Sequence, residues 1–262
     1  MKSTFDSAAS KFESYRSLPT GVPEAIRAAL WHALGFAGPV RVLEIGAGTG
    51  RIGKAFMVEG DFYTGVDTSL AMLREFPVTS KSSFLVQADG GQLPFGEDTF
   101  DLVLLLHLLS GAEDWQGILN ETRRVLAPGG SAAVGQTVSP EFGIDARLKR
   151  QLKAILERMQ IARYRPQESR RQALAWLQSS AARHVQCQAA SWSVKTTPQD
   201  FLIRHRTGAR FAALPVAVQE QALEQLSAWA ETTFGSLDAE FQEQRSFELD
   251  IFSFVKGAGR DS

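Results

Sequence analysis

The chain has 262 residues, 44% of them hydrophobic and 22% charged, so it can bury the core of one or two domains without disulfides. Its formal net charge of -1 argues against a nucleic-acid partner, which would require clustered lysine and arginine. The one cysteine, Cys187, and the lack of a long apolar run predict no disulfide, no metal site and no membrane span. Since the first residues do not resemble a signal peptide, we expect a cytoplasmic protein.

Strand and helix patterns alternate along the first half of the chain. A helix is predicted at Val22–Leu34, ahead of five strands, and the strands are predicted at Val40–Ile45, Phe62–Val66, Ser83–Gln87, Phe100–Leu106 and Ser131–Gln136. The helices predicted between them are Arg51–Glu59, Leu70–Phe76 and Glu113–Leu126. This alternation indicates right-handed βαβ units and a mostly parallel sheet, in which ligands bind at the carboxyl ends of the strands.

After Pro140 the pattern changes. Residues 141–182 look helical and basic, residues 185–194 alternate as a strand does, and a late strand is predicted at Ser246–Val255. Between these strands, helices are predicted at Pro198–His205 and Pro215–Phe234. We therefore predict four segments: an N-terminal helical segment at 1–39, a core at 40–140, a helical cap inserted at 141–183, and the last strands at 184–262 with a second helical insertion at 197–240.

The glycine-rich stretch VLEIGAGTG, Val42 to Gly50, follows the first predicted strand. Glycines let a backbone turn sharply and approach a ligand closely. The stretch extends into a G-x-G-x-x-G pattern, and Asp67 follows at the distance where an acid binds ribose hydroxyls, so an NAD-dependent oxidoreductase using the GTGRIG loop is one hypothesis. Glu44 argues against it, because a carboxylate repels a pyrophosphate but attracts an amino group or a sulfonium.

Four ordered segments within residues 40–136 resemble the motifs of one family, the class I S-adenosylmethionine-dependent methyltransferases. They are VLEIGAGTG, then YTGVDTS, then VQADGGQLPFGEDTFDLVLLLHLL, then RVLAPGGSAAV. The subgroup they resemble is related to ubiquinone and menaquinone biosynthesis methyltransferases, the "methyltransferase type 11" subgroup. The resemblance implies a Rossmann-like α/β fold, a seven-stranded mostly parallel sheet with helices on both faces, plus a helical cap inserted in the C-terminal half.

The resemblance also implies which residues bind the cofactor, S-adenosyl-L-methionine, and its product S-adenosyl-L-homocysteine. Glu44 and the backbone from Gly46 to Gly50, including Ala47 and Gly48, would hold the methionine end. Asp67, next to Thr68, would accept the ribose hydroxyls. The remaining predicted contacts are Met72 on the adenine, Asp89 and Gly90 at its amino group, Leu106 and His107 beside the methionine portion, and Tyr15 in the N-terminal segment that would close over the cofactor.

The acceptor is harder to predict. We expect a small molecule methylated at O, N or C, with His107 as the candidate general base or as a hydrogen-bonding neighbour of the cofactor. The chain reads LLLHLLSG where amide methyltransferases carry an Asn/Asp-Pro-Pro-Tyr signature, which argues against a DNA or protein amide. The basic stretch 147–171 is either the solvated face of a cap helix or a platform for an anionic substrate or RNA. A non-catalytic protein that binds the cofactor or its product is the remaining alternative.

Overall fold

The computed structural model describes residues 16–58, 60–161, 166–206 and 208–255. In chain order the elements are α1 (Val22–Leu34), β1 (Arg41–Ile45), a 3₁₀ helix (Gly53–Phe56), β2 (Phe62–Asp67), α2 (Leu70–Arg74), β3 (Ser83–Gln87), β4 (Phe100–Leu106), α3 (Trp115–Val125), β5 (Leu126–Val138), α4 (Ile144–Arg158), α5 (Pro166–Ser180), β6 (Arg183–Thr196), α6 (Pro198–Arg206), α7 (Ala209–Ala212), α8 (Val216–Phe234) and β7 (Phe241–Ser253).

The strands form one sheet in the order β3-β2-β1-β4-β5-β7-β6. The pairs from β3 to β5 are parallel, and β7 runs antiparallel to both β5 and β6. The chain order reverses between β1 and β4, which is the point where open α/β sheets form a ligand crevice. The predicted Rossmann-like methyltransferase fold, with seven mostly parallel strands, is confirmed.

Each face of the sheet carries its own apolar cluster, because successive side chains of a strand point to opposite sides. On one face Leu102 and Leu104 of β4 pack with Ile26 and Leu30 of α1. On the other face Val103 and Leu105 pack with helices α3 and α5. Burial on both faces explains why β4 reads as an unbroken aliphatic run, which allowed its bounds to be predicted correctly.

A third apolar cluster joins the helices inserted after β5. It contains Leu148 and Leu152 of α4, Phe201 of α6, and Leu223 and Leu226 of α8. Helix α5 packs on the sheet instead, where Ala173 and Leu177 join the cluster of α3. Helix α4 therefore belongs to a helical layer with α6 and α8, although it is continuous in sequence with the segment that leads to α5.

The helix predicted at Arg51–Glu59 is wrong. The described part of this segment contains only a four-residue 3₁₀ helix, Gly53–Phe56, in which the Ala55 and Met57 N–H groups bond three residues back. Gly53 has a low helix propensity and lies against the Tyr63 hydroxyl. So short a helix supplies no macrodipole at the glycine turn.

The predicted bounds of two late strands also differ from the structure. Strand β5 begins at Leu126 rather than Ser131, because Leu126 already pairs with Phe100 before a register shift. Strand β7 begins at Phe241, where it pairs with Thr196 at one end of a long antiparallel ladder with β6. Among the described residues, no helix is both long and apolar enough to cross a membrane.

Candidate functional site

A cavity of about 260 Å³ opens at the carboxyl ends of β1, β2 and β4. This is the crevice expected where the strand order reverses. Nearly all the predicted cofactor residues line it, in agreement with their order along the sheet edge: Glu44, Gly46, Ala47, Gly48, Asp67, Thr68, Met72, Asp89, Gly90, Leu106 and His107. Tyr15 lies outside the described residues, and Gly50 does not line the cavity but faces the Phe76 ring.

The glycine turn after β1 is fixed by hydrogen bonds to the next strand. Its N–H groups at Gly46 and Ala47 both donate to the Val66 carbonyl, at 2.8 and 2.9 Å. Gly46 and Gly48 have φ values of 80° and 56°, a region that side-chain-bearing residues rarely adopt. The backbone itself therefore forms this wall of the cavity.

Asp67 ends β2 and holds both the turn and the next helix. Its Oδ2 accepts from the Gly48 N–H at 2.9 Å, and its Oδ1 accepts from the Ser69 N–H at 2.8 Å. A carboxylate has about four acceptor positions, so each oxygen keeps capacity for a ligand hydroxyl. The side chain is half-buried at the cavity wall, where two vicinal hydroxyls could reach it.

Glu44 places a buried carboxyl group at the cavity, with a side chain that is 3% exposed. The Tyr63 hydroxyl donates a hydrogen bond to its Oε2. Burial raises the pKa of Glu44 to about 7, against the opposing effects of the Tyr63 hydrogen bond and the positive charge of Arg51. A carboxyl group with a pKa of about 7 is well matched to a cationic ligand group, because a nearby positive charge would favour its ionised form.

The far side of the cavity is apolar, with one polar turn at its rim. Met72 is 3% exposed and packs near Gly48, and Ile118 of α3 lines the opposite wall. Asp89 is exposed, and its Oδ1 accepts from the Gly91 N–H at 2.9 Å, so one carboxylate oxygen shapes the turn. Its other oxygen is available to a ligand at the rim. The interpretations of Asp89 as a turn residue and as a ligand contact are therefore compatible.

His107 follows β4 with a positive φ of 55°, which is uncommon outside glycine. Its backbone N–H donates to the Gly135 carbonyl at 2.8 Å. Its ring lies edge-on to the Phe247 ring, and the ring Nε2 lies 3.4 Å from the Thr137 hydroxyl. The side chain is exposed to the cavity, yet the surrounding protein atoms, then the charges of Arg51, Arg16 and Lys149, lower its pKa well below the usual value. The positive charges of these three side chains would lower the pKa of His107 even if water fills the cavity.

Arg51 was not predicted, and it lines the cavity beside Glu44 and His107. Its Nη1 donates to the Arg16 carbonyl at 2.7 Å, so residues 35 positions apart meet at the site. Thr49 lies within the predicted backbone from Gly46 to Gly50 and also lines the cavity, whereas Ile118 was not predicted. Arg51 directly follows the glycine stretch, which would have indicated it. Nothing in the local sequence indicates Ile118.

The residues present fit S-adenosylmethionine better than a dinucleotide. Two features would favour a pyrophosphate, namely an uncharged cavity wall and the dipole of an α-helix. Neither is found in the described residues, because Glu44 places a carboxyl group at the cavity and only a 3₁₀ helix follows Gly50. Glu44 beside Arg51 instead suits the amino and carboxylate groups of an amino acid, and Asp67 with the apolar wall at Met72 suits a nucleoside.

Comparison with known proteins agrees with this geometry. Residues 43–134 match a family model described as a methyltransferase domain. The demethylmenaquinone methyltransferase of Corynebacterium urealyticum is 34% identical over 100 residues, which are 38% of this chain and 43% of that protein. The chain spans about half the length of the curated relatives it matches.

Solved structures share the fold at low sequence identity. The YcgJ protein from Bacillus subtilis is 16% identical with a TM-score of 0.53, over 89% of this chain and 99% of that chain. The phosphoethanolamine N-methyltransferase 2 of Haemonchus contortus, in complex with phosphomonomethylethanolamine and S-adenosylhomocysteine, is 15% identical with a TM-score of 0.52, over 95% of this chain and 57% of that chain. These likenesses show the fold alone.

Proposed function

We propose that this chain, whose residues 43–134 match a methyltransferase domain model, is a class I methyltransferase that transfers a methyl group from S-adenosylmethionine to a small molecule. The observation that supports this most strongly is the pair of carboxylates, Glu44 and Asp67, on either side of a glycine turn at one sheet edge. The acceptor atom would be an oxygen, nitrogen or carbon nucleophile. A single cysteine, Cys187, as a free thiol supports placing the protein in the reducing cytoplasm.

The two ends of the cofactor would be held by different chemistry. At the amino-acid end, Glu44 would bind the amino group and Arg51 the carboxylate, and both line the cavity. At the nucleoside end, Asp67 would accept from the ribose hydroxyls while Met72 packs on the base. When bound, S-adenosylmethionine supplies a methyl group on a sulfonium that an in-line nucleophile can displace.

The chain's own contribution to the reaction would be alignment. Fixed orientation of two reactants can contribute about 7–11 kcal/mol, and this site is built on backbone hydrogen bonds between β1 and β2 that resist distortion. His107 stands at the cavity end of β4, where an acceptor would approach. With its pKa lowered, the His107 ring is neutral near pH 7, so it could accept a hydrogen bond from the nucleophile, while the same shift makes it a weak general base.

The proposal is tested by isothermal titration with S-adenosylmethionine, S-adenosylhomocysteine and NAD. We expect the first two to bind and NAD not to bind. In Asp67→Asn, the affinity for S-adenosylhomocysteine should fall about a hundredfold, since two charge-assisted hydrogen bonds are weakened. The matched control is Asp101→Asn, because Asp101 pairs with Arg41 at the opposite end of the strands.

Unchanged binding in Asp67→Asn would show that the nucleoside lies elsewhere. Binding of NAD alone would overturn the proposal and support the oxidoreductase hypothesis. Binding of S-adenosylhomocysteine without turnover on any acceptor would support the non-catalytic alternative.

A further inference from the structure

Tyr63 contacts a residue of the cavity without lining the cavity itself. Its side chain is fully buried, and its hydroxyl donates a hydrogen bond to Oε2 of Glu44, which does line the cavity. Among the described residues, no hydrogen bond to the other carboxyl oxygen of Glu44, Oε1, is found. Tyr63 can therefore influence a ligand in the cavity only through Glu44, and Oε1 is the oxygen left for that ligand.

The register of the sheet brings the two side chains together. Glu44 of β1 pairs with Gly65 of β2 in parallel, so the two residues point to the same face of the sheet, and Tyr63 points to that face two residues earlier. A methyl group at Gly65 would lie 3.2 Å from Cε1 of Tyr63 and 2.9 Å from Cβ of Ala47. The tyrosine ring thus uses space that a side chain at position 65 would fill, and extends along β2 to reach Glu44.

Two further neighbours enclose the ring of Tyr63. The ring of Phe76, just after α2, lies 5.8 Å from it between centroids, and the same Phe76 ring covers Gly50 of the glycine stretch. On the 3₁₀ helix, a methyl group at Gly53 would collide with both the Tyr63 hydroxyl and the Glu44 carboxyl. Since close-packed neighbours leave a buried ring little freedom, the hydroxyl is held against Glu44.

The hydrogen bond also affects the ionisation of both partners. Burial first, then the charge of Glu44 and the hydrogen bond, raise the pKa of Tyr63 well above its usual value, so the hydroxyl keeps the proton that it donates. The same bond opposes the effect of burial on the pKa of Glu44, as does the charge of Arg51, whereas Asp67 acts in the direction of burial. The Tyr63 hydroxyl therefore stabilises the ionised form of Glu44.

We propose that Tyr63 is a positioning residue for the cofactor, which holds Glu44 by Oε2 and thereby directs Oε1 to the amino group of S-adenosylmethionine. This inference rests on the proposed methyl transfer. A hydrogen bond to a carboxylate is directional and stronger than one between neutral groups, so it fixes the orientation of the carboxyl. Without the hydroxyl, Glu44 would keep its place on β1 but would lose this orientation, and its ionised form would be less stable.

The first measurement needs no cofactor. It follows the ionisation of Glu44 in the ligand-free chain by the NMR signal of its carboxyl carbon, in the unmodified protein and in Tyr63→Phe, which removes only the hydroxyl. The midpoint should rise by about one pH unit or more in Tyr63→Phe, because the bond that favours the ionised form is lost. The matched control is Thr64→Val, which removes a hydroxyl from the opposite face of the same strand and should leave the midpoint unchanged.

The second measurement is isothermal titration with S-adenosylhomocysteine across neutral pH. Near pH 7, Tyr63→Phe should bind about tenfold more weakly than the unmodified chain, and the difference should shrink as pH rises and Glu44 ionises in the variant as well. In a Glu44→Gln background, Tyr63→Phe should change the affinity less than about twofold, because no carboxylate is left to orient or ionise. Thr64→Val should bind like the unmodified chain.

A raised midpoint, together with a pH-dependent loss of affinity that disappears in Glu44→Gln, supports the proposal. An unchanged midpoint overturns it. A loss of affinity that is equal at every pH, or equal in both backgrounds, also overturns it, because either result would show that Tyr63 serves only the packing of β2. Failure of the unmodified chain to bind S-adenosylhomocysteine overturns both proposals, whereas an unchanged midpoint in a chain that binds it overturns only this one.

Discussion

The two halves of the candidate site are built in different ways. The cofactor half is held by backbone hydrogen bonds within a short stretch of chain, from Glu44 to Asp67. The other half depends on side chains from distant positions, where Arg51 donates to the Arg16 carbonyl and Arg16 donates to the Arg204 carbonyl. The first half has a local sequence signature, whereas the second has a charge pattern that appears only after folding.

This difference predicts that the two halves can be damaged separately. Changes in the glycine turn should affect cofactor binding and stability together, because the same bonds serve both. Changes in the helical layer of α4, α6 and α8 should affect acceptor binding or stability, with little effect on the cofactor.

The largest expected effect is on the helical layer. Asp145 is 9% exposed and joins Arg204 and Arg245, so Asp145→Asn leaves two largely buried cations without their shared partner. Breaking such a pair costs about 3–5 kcal/mol of the free energy of unfolding, measured by urea denaturation. Affinity for S-adenosylhomocysteine should change less than twofold.

The control for this variant is Asp238→Asn, in the loop between α8 and β7. If Asp145→Asn weakened cofactor binding as much as Asp67→Asn does, the two halves would not be separable.

The second effect concerns Glu44 and its pKa of about 7. Between the usual value of 4.5 and about 7, the folded state binds more protons than the unfolded state, so the free energy of unfolding falls as pH rises through this window. Glu44→Gln should remove this pH dependence and raise stability above pH 7 by up to about 3 kcal/mol. It should at the same time weaken S-adenosylhomocysteine binding. In the unmodified chain, we expect this affinity to increase as pH rises and Glu44 ionises, and Glu44→Gln should abolish that increase.

Glu121→Gln provides a control of opposite sign. The hydrogen bonds from Arg124 hold the pKa of Glu121 below its usual range, so its contribution is present above the unfolded pKa and lost as pH falls. This variant should lower stability at neutral pH without changing cofactor affinity. A Glu44→Gln protein that is less stable than the unmodified chain at high pH would contradict the burial assigned to Glu44.

The third effect, of about 1–3 kcal/mol, comes from overpacking at the glycine turn. A methyl group at Gly53 would collide with the Tyr63 hydroxyl and the Glu44 carboxyl, so Gly53→Ala should lose both stability and cofactor affinity. Gly38→Ala, where a methyl group meets nothing within 4 Å, is the matched control. Thermal unfolding and titration with S-adenosylhomocysteine measure the two losses, and a change in only one would show that the turn and the site are independent.

Much of the fold was predictable because its elements have strong local patterns. Strands β3 and β4 and helix α1 have the predicted bounds, and the order of β1 to β5 follows from alternation with helices. The prediction of a helix after Gly50 was wrong, because Gly53 has a low helix propensity and the described part of this segment forms only a four-residue 3₁₀ helix.

The cofactor half of the site was also predictable from local sequence patterns. Asp67 and Glu44 were identified by their distances from the glycine stretch and by the resemblance of the surrounding segments to family motifs, and both lie near the carboxyl ends of their strands, where the topology places a ligand. Arg51 was missed although it directly follows the glycine stretch, and its hydrogen bond to the Arg16 carbonyl is visible only in the folded chain. The basic stretch was recognised, but its sequence could not show that Arg147 lies over the Phe234 ring or that Arg170 pairs with Asp250, since both contacts depend on tertiary packing.

A crystal structure of the chain with S-adenosylhomocysteine would test the proposed cofactor site most directly. We predict the ligand in the cavity at the carboxyl ends of β1, β2 and β4, with its ribose hydroxyls on Asp67 and its amino group facing Glu44. A ligand bound elsewhere, or one with its adenine at Glu44 and its amino acid at Asp67, would contradict it.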